Sequence, residues 1–268
     1  MDGLLVTGRG VSVTGPLGAV VFRHCTLVPG WSLEHHCEPT HPEEPSLVLE
    51  DTSACVQIDK SIVGTILVIN DEVHTDPIDI HLTDSVLDAT DVDREALSAP
   101  ECRHAHSALH ARRCTIIGEV HSEQVVFAEN CIFDGLMHVA RRGVGCVRFC
   151  YITPGSRTPK RYHCQPDLVW AALRDLAESG EIDATDLPRL RDLDAARVAP
   201  QFASRRYGTP AYGQLAARCA AEIARGAEDG SELGVFHDLF GPLREDNLRH
   251  RLAEFSPAGT DAGIIYVS

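Results

Sequence analysis

The chain has 268 residues, of which 44% are hydrophobic, and this predicts one large globular domain, or a domain with a substantial cap, rather than a disordered chain. No run approaches the ~20 apolar residues that a membrane span needs. The formal charge is −15; residues 1–100 hold 17 acidic and 4 basic side chains, a net of −13, so we expect neither nucleic acid nor a membrane as a partner.

The N-terminus, Met1 to Leu4, has no basic region followed by an apolar run, so no signal peptide is predicted. The chain contains ten cysteines. An exported protein would pair them as disulfides, whereas a protein without an export signal keeps them reduced. We therefore expect cytoplasmic synthesis with free thiols.

A degenerate repeat occupies the first 155 residues. Each unit has a period-2 apolar strand, a polar pair, a Cys or Ser, and then two or three apolar or Thr residues, often followed by Gly. The spacings between the Cys or Ser positions are 36, 24, 29, 17 and 19 residues. These positions are Cys25, Ser61, Ser85, Cys114, Cys131 and Cys150.

Repeat periods of about 20–50 residues are typical of solenoids, and these units are too short to hold a helix between strands. We therefore predict a right-handed parallel β-helix over residues 1–155, with the Cys and Ser side chains stacked in one inward column. A β-sandwich is the alternative, but it would not require the same small residue at the same place in every unit. The longest spacings predict loop insertions at Trp31–Pro45 and Thr90–Ser107.

The composition changes after Gly155, and residues 156–268 are predicted to form a largely α-helical cap on the solenoid. Asp167, Pro210 and Pro242 are placed to begin helices, and Gly180, Gly226 and Pro257 to end them. The predicted elements are helices at Leu168–Ala177, Leu215–Arg225 and Leu243–Phe255, and a strand at Ile264–Val267.

The first insertion contains the candidate metal ligands His35, His36, Cys37 and His41. Imidazole and thiolate ligands suit zinc, nickel or copper, although a solvated loop explains the same residues. A second cluster in the other insertion holds Cys102, His104 and His106, with His110 shortly after, and the two loops could converge on one face. No cofactor is expected, and the possible exception is a divalent metal, Ca²⁺ or Zn²⁺.

Two charged tracts have both functional and structural interpretations. The acidic tract would suit Ca²⁺ or an acidic-polysaccharide site, but it has no calcium-loop motif and no carboxylate pair at a defined spacing, so catalytic residues stay unassigned. A solvated face that protects strand edges is the other interpretation. Residues 135–166 are basic, which suits an acidic protein partner or a structural role. The acidic tract comprises Asp71, Glu72, Asp76, Asp79, Asp84, Asp88, Asp91, Asp93 and Glu95.

Two stretches carry a resemblance to a family. They are residues 146–159, Cys-Val-Arg-Phe-Cys-Tyr-Ile-Thr-Pro-Gly-Ser-Arg-Thr-Pro, and residues 234–240, Gly-Val-Phe-His-Asp-Leu-Phe, with Asn247-Leu248-Arg249. The chain resembles the C-terminal regions of large, mostly uncharacterised bacterial proteins with a pectate-lyase-like β-helix, associated with phage-tail-like gene neighbourhoods. The resemblance implies a fibre, spike or baseplate-associated module and transfers no catalytic residue.

We therefore expect a non-enzymatic structural or binding module that meets a protein partner, or a second copy of itself, through its long side face. One alternative is a polysaccharide lyase or glycoside hydrolase of the β-helix type. A further alternative is a metal-dependent enzyme that uses the His-rich loop. An enzyme should show a cleft where the insertions meet the sheet, lined by convergent polar groups.

Overall fold

The structure is a computed structural model that describes residues 1–257 and 259–260. Strands dominate its first 162 residues, and the pairs between these strands are parallel. The strands are β1 (Leu5–Val6), β2 (Val11–Gly15), β3 (Ala19–Arg23), β4 (Thr26–Leu27), β5 (Leu47–Thr52), β6 (Cys55–Asp59), β7 (Ile62–Val63), β8 (Ile66–Ile69), β9 (Ile78–Thr83), β10 (Val86–Asp88), β11 (Glu95–Ser98), β12 (Ala105–Arg112), β13 (Thr115–Ile117), β14 (Glu119–Glu129), β15 (Ile132–Asp134), β16 (Met137–Val139), β17 (Cys146–Arg148), β18 (Tyr151–Ile152) and β19 (Lys160–Tyr162).

The strands form two sheets. The smaller has seven strands in the order β1-β4-β7-β10-β13-β15-β18. The larger has twelve strands, and one of the two sheets is strongly curled. Its long strand β14 joins two rows: residues near Val120 pair with β11 and β16, and residues 122–129 pair with β12 and β17. The prediction of a mainly parallel-strand protein is confirmed.

A repeated turn connects the larger sheet to the smaller one. In each copy the residue that follows the strand has a φ between 46° and 54°, in the left-handed region, and the next residue is the Cys or Ser of the repeat. In all seven copies that side chain donates to the carbonyl two residues earlier. The left-handed residues are His24, Lys60, Asp84, Arg113, Asn130, Phe149 and His163.

The Cys and Ser side chains form the predicted inward column. The amide of Cys25 donates to Ser61 Oγ at 3.0 Å, and the amide of Ser61 donates to Ser85 Oγ at 3.1 Å. Further along, the amide of Cys114 donates to Cys131 Sγ at 3.4 Å. All of these side chains are buried. The interpretation of the repeat cysteines as small buried core residues is therefore confirmed.

Helices follow the strands. Two of the three predicted helices are confirmed, with small shifts of their ends. The prediction of a helix at Leu215–Arg225 is wrong, because only one turn of that range is helical. Leu215 and Cys219 instead pack on strands β15 and β18 from an irregular segment. The helix α2 was not predicted, and the strand predicted at Ile264–Val267 lies outside the described residues. The helices are α1 (Asp167–Glu178), α2 (Leu187–Arg197), α3 (Ala221–Ala224) and α4 (Gly241–Phe255).

The segment from residue 199 to residue 240 covers the side of the seven-stranded sheet that faces away from the main core. Cys219, Ile223 and Leu233 form a second apolar cluster with Ile132 and Tyr151 of that sheet. The alternating residues of the same strands, such as Phe133 and Ile152, belong to the main core. The segment therefore lies along a flank of the strands. None of the helices in the described part of the chain is both long enough and apolar enough to cross a bilayer.

Candidate metal centre

Two histidines and a glutamate converge on the larger sheet beside the second insertion. Glu119 and His121 are two residues apart in strand β14, so their side chains leave the same face of the sheet. His138 in strand β16 lies in register with His121. The ligand atoms of the three residues all lie within 4.8 Å of one another. This group therefore offers two imidazole nitrogens and one carboxylate oxygen to a single ion.

The group is half-buried and internally hydrogen bonded. His121 Nε2 lies 2.7 Å from Glu119 Oε2, and the side chains of these residues are 12% and 21% exposed. The rings of His121 and His138 have centroids 4.8 Å apart and planes tilted by 41°. The ring of His104, from the second insertion, lies 6.1 Å from that of His121. His104 of the second insertion thus lies beside the group.

The local electrostatics favour neutral imidazoles. Burial, and secondarily the neighbouring His121, lower the pKa of His138 and of His104 below its ordinary value. A neutral imidazole is the form that binds metals. Nearby, the thiol of Cys102 donates to the carboxylate of Glu95, and this hydrogen bond raises the pKa of Cys102 and lowers the pKa of Glu95. Glu95 lies in register with Glu119.

A second group of metal-ligating residues lies in the other half of the larger sheet. It consists of Asp79, His81 and His110, on strands β9 and β12. The two imidazole rings are stacked with centroids 4.3 Å apart and planes only 12° from parallel. Asp79 Oδ1 lies 3.9 Å from His110 Nε2, and burial lowers the pKa of His110.

The candidate ligands of the first insertion are not brought together. His35, His36 and His41 are exposed and Cys37 is half-buried. The ring of His41 packs against Trp31, with centroids 5.2 Å apart. Among the residues that the structure describes, these four form no group of three ligand atoms as close as in the two groups on the sheet. Of the second cluster, only His110 belongs to such a group, while His106 contacts Glu123 at 2.6 Å.

The two insertions do meet. The hydroxyl of Thr90 donates to the carbonyl of Pro42 over 3.4 Å, and a cleft lies between the loops. Its charged lining consists of Glu43 from the first insertion, Arg94 and Glu101 from the second, and Glu95 at the start of strand β11, with Cys102 at the same place. The cleft adjoins the Glu119 group through Glu95, which is in register with Glu119.

The charged tracts contact several different parts of the molecule. In the acidic tract, Asp84 pairs with Arg113 at 2.5 Å and Asp88 accepts from Tyr212 at 2.6 Å. In the basic stretch, Arg148 pairs with Glu129 and Arg161 with Asp167. These contacts give many of the charges a structural role.

The missed ligands had a signal in the sequence. His121 and His138 are 17 residues apart, which is the spacing of Cys114 and Cys131 in the same units; His81 and His110 are 29 apart, which is the spacing of Ser85 and Cys114. Residues separated by the local repeat length stack on neighbouring strands. Comparison of the chain with protein-family models, with curated proteins and with solved structures gave no match.

Proposed function

We propose that the chain is a non-enzymatic binding module built on a right-handed parallel β-helix, and that it serves a phage-tail-like or surface-associated bacterial assembly. The chain visits the seven-stranded sheet and the two rows of the larger sheet in a fixed order, by parallel pairing alone. The turn that precedes each Cys or Ser recurs seven times. Both features support stacked coils, and the assembly itself rests on the resemblance of residues 146–159 and 234–240.

The observation that carries the binding role is a ladder of side chains across seven strands of the larger sheet. Its members are in register from strand β3 to strand β19 and are exposed or half-buried. Basic and acidic groups alternate along it except at Thr83, and the aromatic Tyr162 lies at its end. Such a mixed, extended surface suits a protein partner or a second copy more than a small molecule. The ladder consists of Arg23, Asp59, Thr83, Arg112, Glu129, Arg148 and Tyr162.

The parallel ladder beside it adds contact groups. It includes His110 and Phe127, which are in register. The guanidinium groups of Arg112 and Arg148 lie 5.0 Å and 5.4 Å from the centroid of the Phe127 ring. An aromatic ring between two cations is a rigid feature of the type enriched in binding surfaces. We place the centre of the interface at Phe127.

A photo-cross-linking amino acid at Arg112 tests this proposal, with the same group at the exposed Leu193 of helix α2 as the matched control. In cells of the source bacterium, the residue-112 probe should give a discrete cross-linked species, and the residue-193 probe should not. Light scattering of the purified chain identifies a second copy as the partner if the mass doubles. Equal labelling from both positions would refute an interface on this face.

The cleft between the insertions favours a second candidate, a polysaccharide lyase or glycoside hydrolase on the same fold. Glu43, Glu95 and Glu101 supply carboxylates there and Arg94 a cation, which are the residue types that such chemistry needs. Incubation with polygalacturonate and with neutral polysaccharides, followed by assay of reducing ends, separates the two candidates. Turnover that is lost in Glu95→Gln but kept in Glu178→Gln would establish the enzyme.

A further inference from the structure

We infer that Glu119, His121 and His138 form a Zn²⁺ site in which the two histidines and the glutamate are ligands. The inference does not depend on the proposed binding role or on the cleft chemistry. It rests on the position of three side chains on two strands that are themselves fixed by a continuous parallel ladder.

The separations fit a single small ion. The three ligand atoms lie within 4.8 Å of one another. Two atoms bound at about 2.1 Å to one tetrahedral Zn²⁺ are about 3.4 Å apart, so modest rotations of the side chains bring the ligands to bonding distance. Because His121 and His138 are cross-strand partners, their backbones already hold the rings at the required spacing.

The donor set suits Zn²⁺ and does not suit Ca²⁺. Two imidazoles and one carboxylate are the ligands of open zinc sites, which keep a fourth position for water or another ligand. Calcium requires six to eight oxygen ligands, and this group supplies carboxylate oxygens from Glu119 alone. The Ca²⁺ alternative therefore does not suit this group, whereas Zn²⁺ does.

Ring orientation distinguishes this group from Asp79, His81 and His110. The lone pair of an imidazole nitrogen lies in the ring plane, so two rings in nearly parallel stacked planes need a larger rotation than tilted rings before both lone pairs point at one atom. The planes of His81 and His110 are 12° apart, and those of His121 and His138 are 41° apart. The Asp79 group is thus the matched control rather than the site.

The fourth position faces the second insertion, and we assign His104 to it. Its ring lies 6.1 Å from that of His121, and residues 102–104 are exposed, so a small movement of the loop brings the imidazole to the ion. His104 would then order the second insertion against the sheet when Zn²⁺ binds.

The test is calorimetric titration of ZnCl₂ into the full chain after treatment with a chelator and removal of the chelator. We expect one tight Zn²⁺ per chain. His121→Ala with His138→Ala should abolish this binding, Glu119→Gln should weaken it at least tenfold, and His104→Ala should weaken it without changing the stoichiometry. His81→Ala with His110→Ala, and His35→Ala with His36→Ala, should retain it.

The inference is overturned if the unaltered chain binds no Zn²⁺ tightly, if the His121 and His138 double variant binds like the unaltered chain, or if either control pair loses the ion. A thermal unfolding curve shows whether each variant is folded. If the double variant is unfolded, NMR of the unaltered chain provides the test. The ring resonances of His121 and His138 should shift when one equivalent of ZnCl₂ is added. A shift confined to other histidines refutes the site.

Discussion

The hydroxyl of Tyr212 donates to the carboxylate of Asp88 across 2.6 Å, which ties the C-terminal segment to a strand 124 residues earlier. Asp88 is only 2% exposed, and a second donor, the amide of Thr90, lies 2.7 Å from its other oxygen. In the seven-stranded sheet Asp88 is in register with Ile117, and Ile117 with Asp134. Tyr212 thus donates to one acidic residue on the flank, Asp88, and Arg205 Nε donates to the other, Asp134, at 2.7 Å.

Burial raises the pKa of Asp88 from 3.8 to about 6, although the bonds from Tyr212 and Thr90 oppose the shift. A carboxyl group whose pKa is raised by folding stabilises the folded state most below the unfolded pKa, and this contribution is lost as the pH rises through 6. Two pKa units correspond to about 3 kcal/mol. When the pH rises from 4 to 7.5, the free energy of unfolding should therefore fall by about 3 kcal/mol more in the unaltered chain than in Asp88→Asn. Urea denaturation at the two pH values measures this difference.

Tyr212→Phe supplies the complementary measurement. It removes the donor and leaves the buried carboxylate less satisfied, so we expect a loss of about 1–3 kcal/mol that is larger at pH 7.5 than at pH 4. Glu232→Gln is a parallel case: burial raises the pKa of Glu232 to about 7, so its contribution to stability is lost as the pH rises through 7, about one unit above that of Asp88. An unchanged pH slope in Asp88→Asn would contradict the assignment.

The Cys131 thiol has two hydrogen-bond partners in the inward column. It donates to the carbonyl of Glu129 at 3.1 Å and accepts from the amide of Cys114 at 3.4 Å. Ser61 and Ser85 make the same two types of contact elsewhere in the column. Cys131→Ser should therefore cost less than about 1.5 kcal/mol, whereas Cys131→Ala leaves the amide of Cys114 unpaired and should cost about 1–2 kcal/mol more than Ser. The carbonyl of Glu129 keeps a second donor, the amide of Arg113 at 2.9 Å.

Urea denaturation of the two variants at one pH gives the comparison. In an ordinary apolar pocket Ala would be tolerated better than Ser, so a more stable Ala variant would show that the column is held by packing alone. The thiol itself should resist modification in the folded chain, since burial raises the pKa of Cys131 well above its ordinary value.

The strands and the inward column could be predicted because they follow from local patterns. The period-2 apolar pattern and the recurring small residue can each be recognised within a few neighbouring residues. The metal group could not be found in that way, because Glu119 and His138 meet only through the register of β14 with β16. The local repeat length contains that register, and the 17-residue spacing of His121 and His138 would have identified the pair.

The C-terminal segment shows the limit of helical pattern. Leu215, Cys219 and Ile223 have the four-residue spacing of an apolar helix face, yet only Ala221–Ala224 is helical before the chain turns. Contacts with Ile132 and Tyr151 determine the path there. Those contacts join residues about 65 to 90 positions apart, and a pattern within a few neighbouring residues contains no information about them.

The ion pair of Arg205 with Asp134 gives a prediction about docking of that segment. Burial raises the pKa of Asp134, and the guanidinium group lowers it. Arg205→Met leaves a buried carboxylate without its cation. Because the Arg205 side chain is 48% exposed, solvent screens part of the effect, and we expect a loss of about 1–3 kcal/mol at pH 7.5.

The loss in Arg205→Met should shrink as the pH falls, since protonation of Asp134 removes its need for a cation. Asp134→Asn should restore part of the stability when it is combined with Arg205→Met, and a double-mutant cycle by urea denaturation measures the coupling. Additive effects of the two substitutions would show that the pair does not hold the segment.

The left-handed turn residues give the last prediction, tested at the exposed Lys60, whose φ is 46°. Glycine adopts this conformation without strain, whereas a β-branched side chain clashes with the following carbonyl. Lys60→Val should therefore be less stable than Lys60→Gly by about 1–2 kcal/mol in thermal or urea unfolding. Gln57→Val, three residues earlier in strand β6 and also exposed, is the matched control, and there valine should be neutral or stabilising. If valine is tolerated equally at both positions, the left-handed conformation does not restrict which residue type can follow each strand.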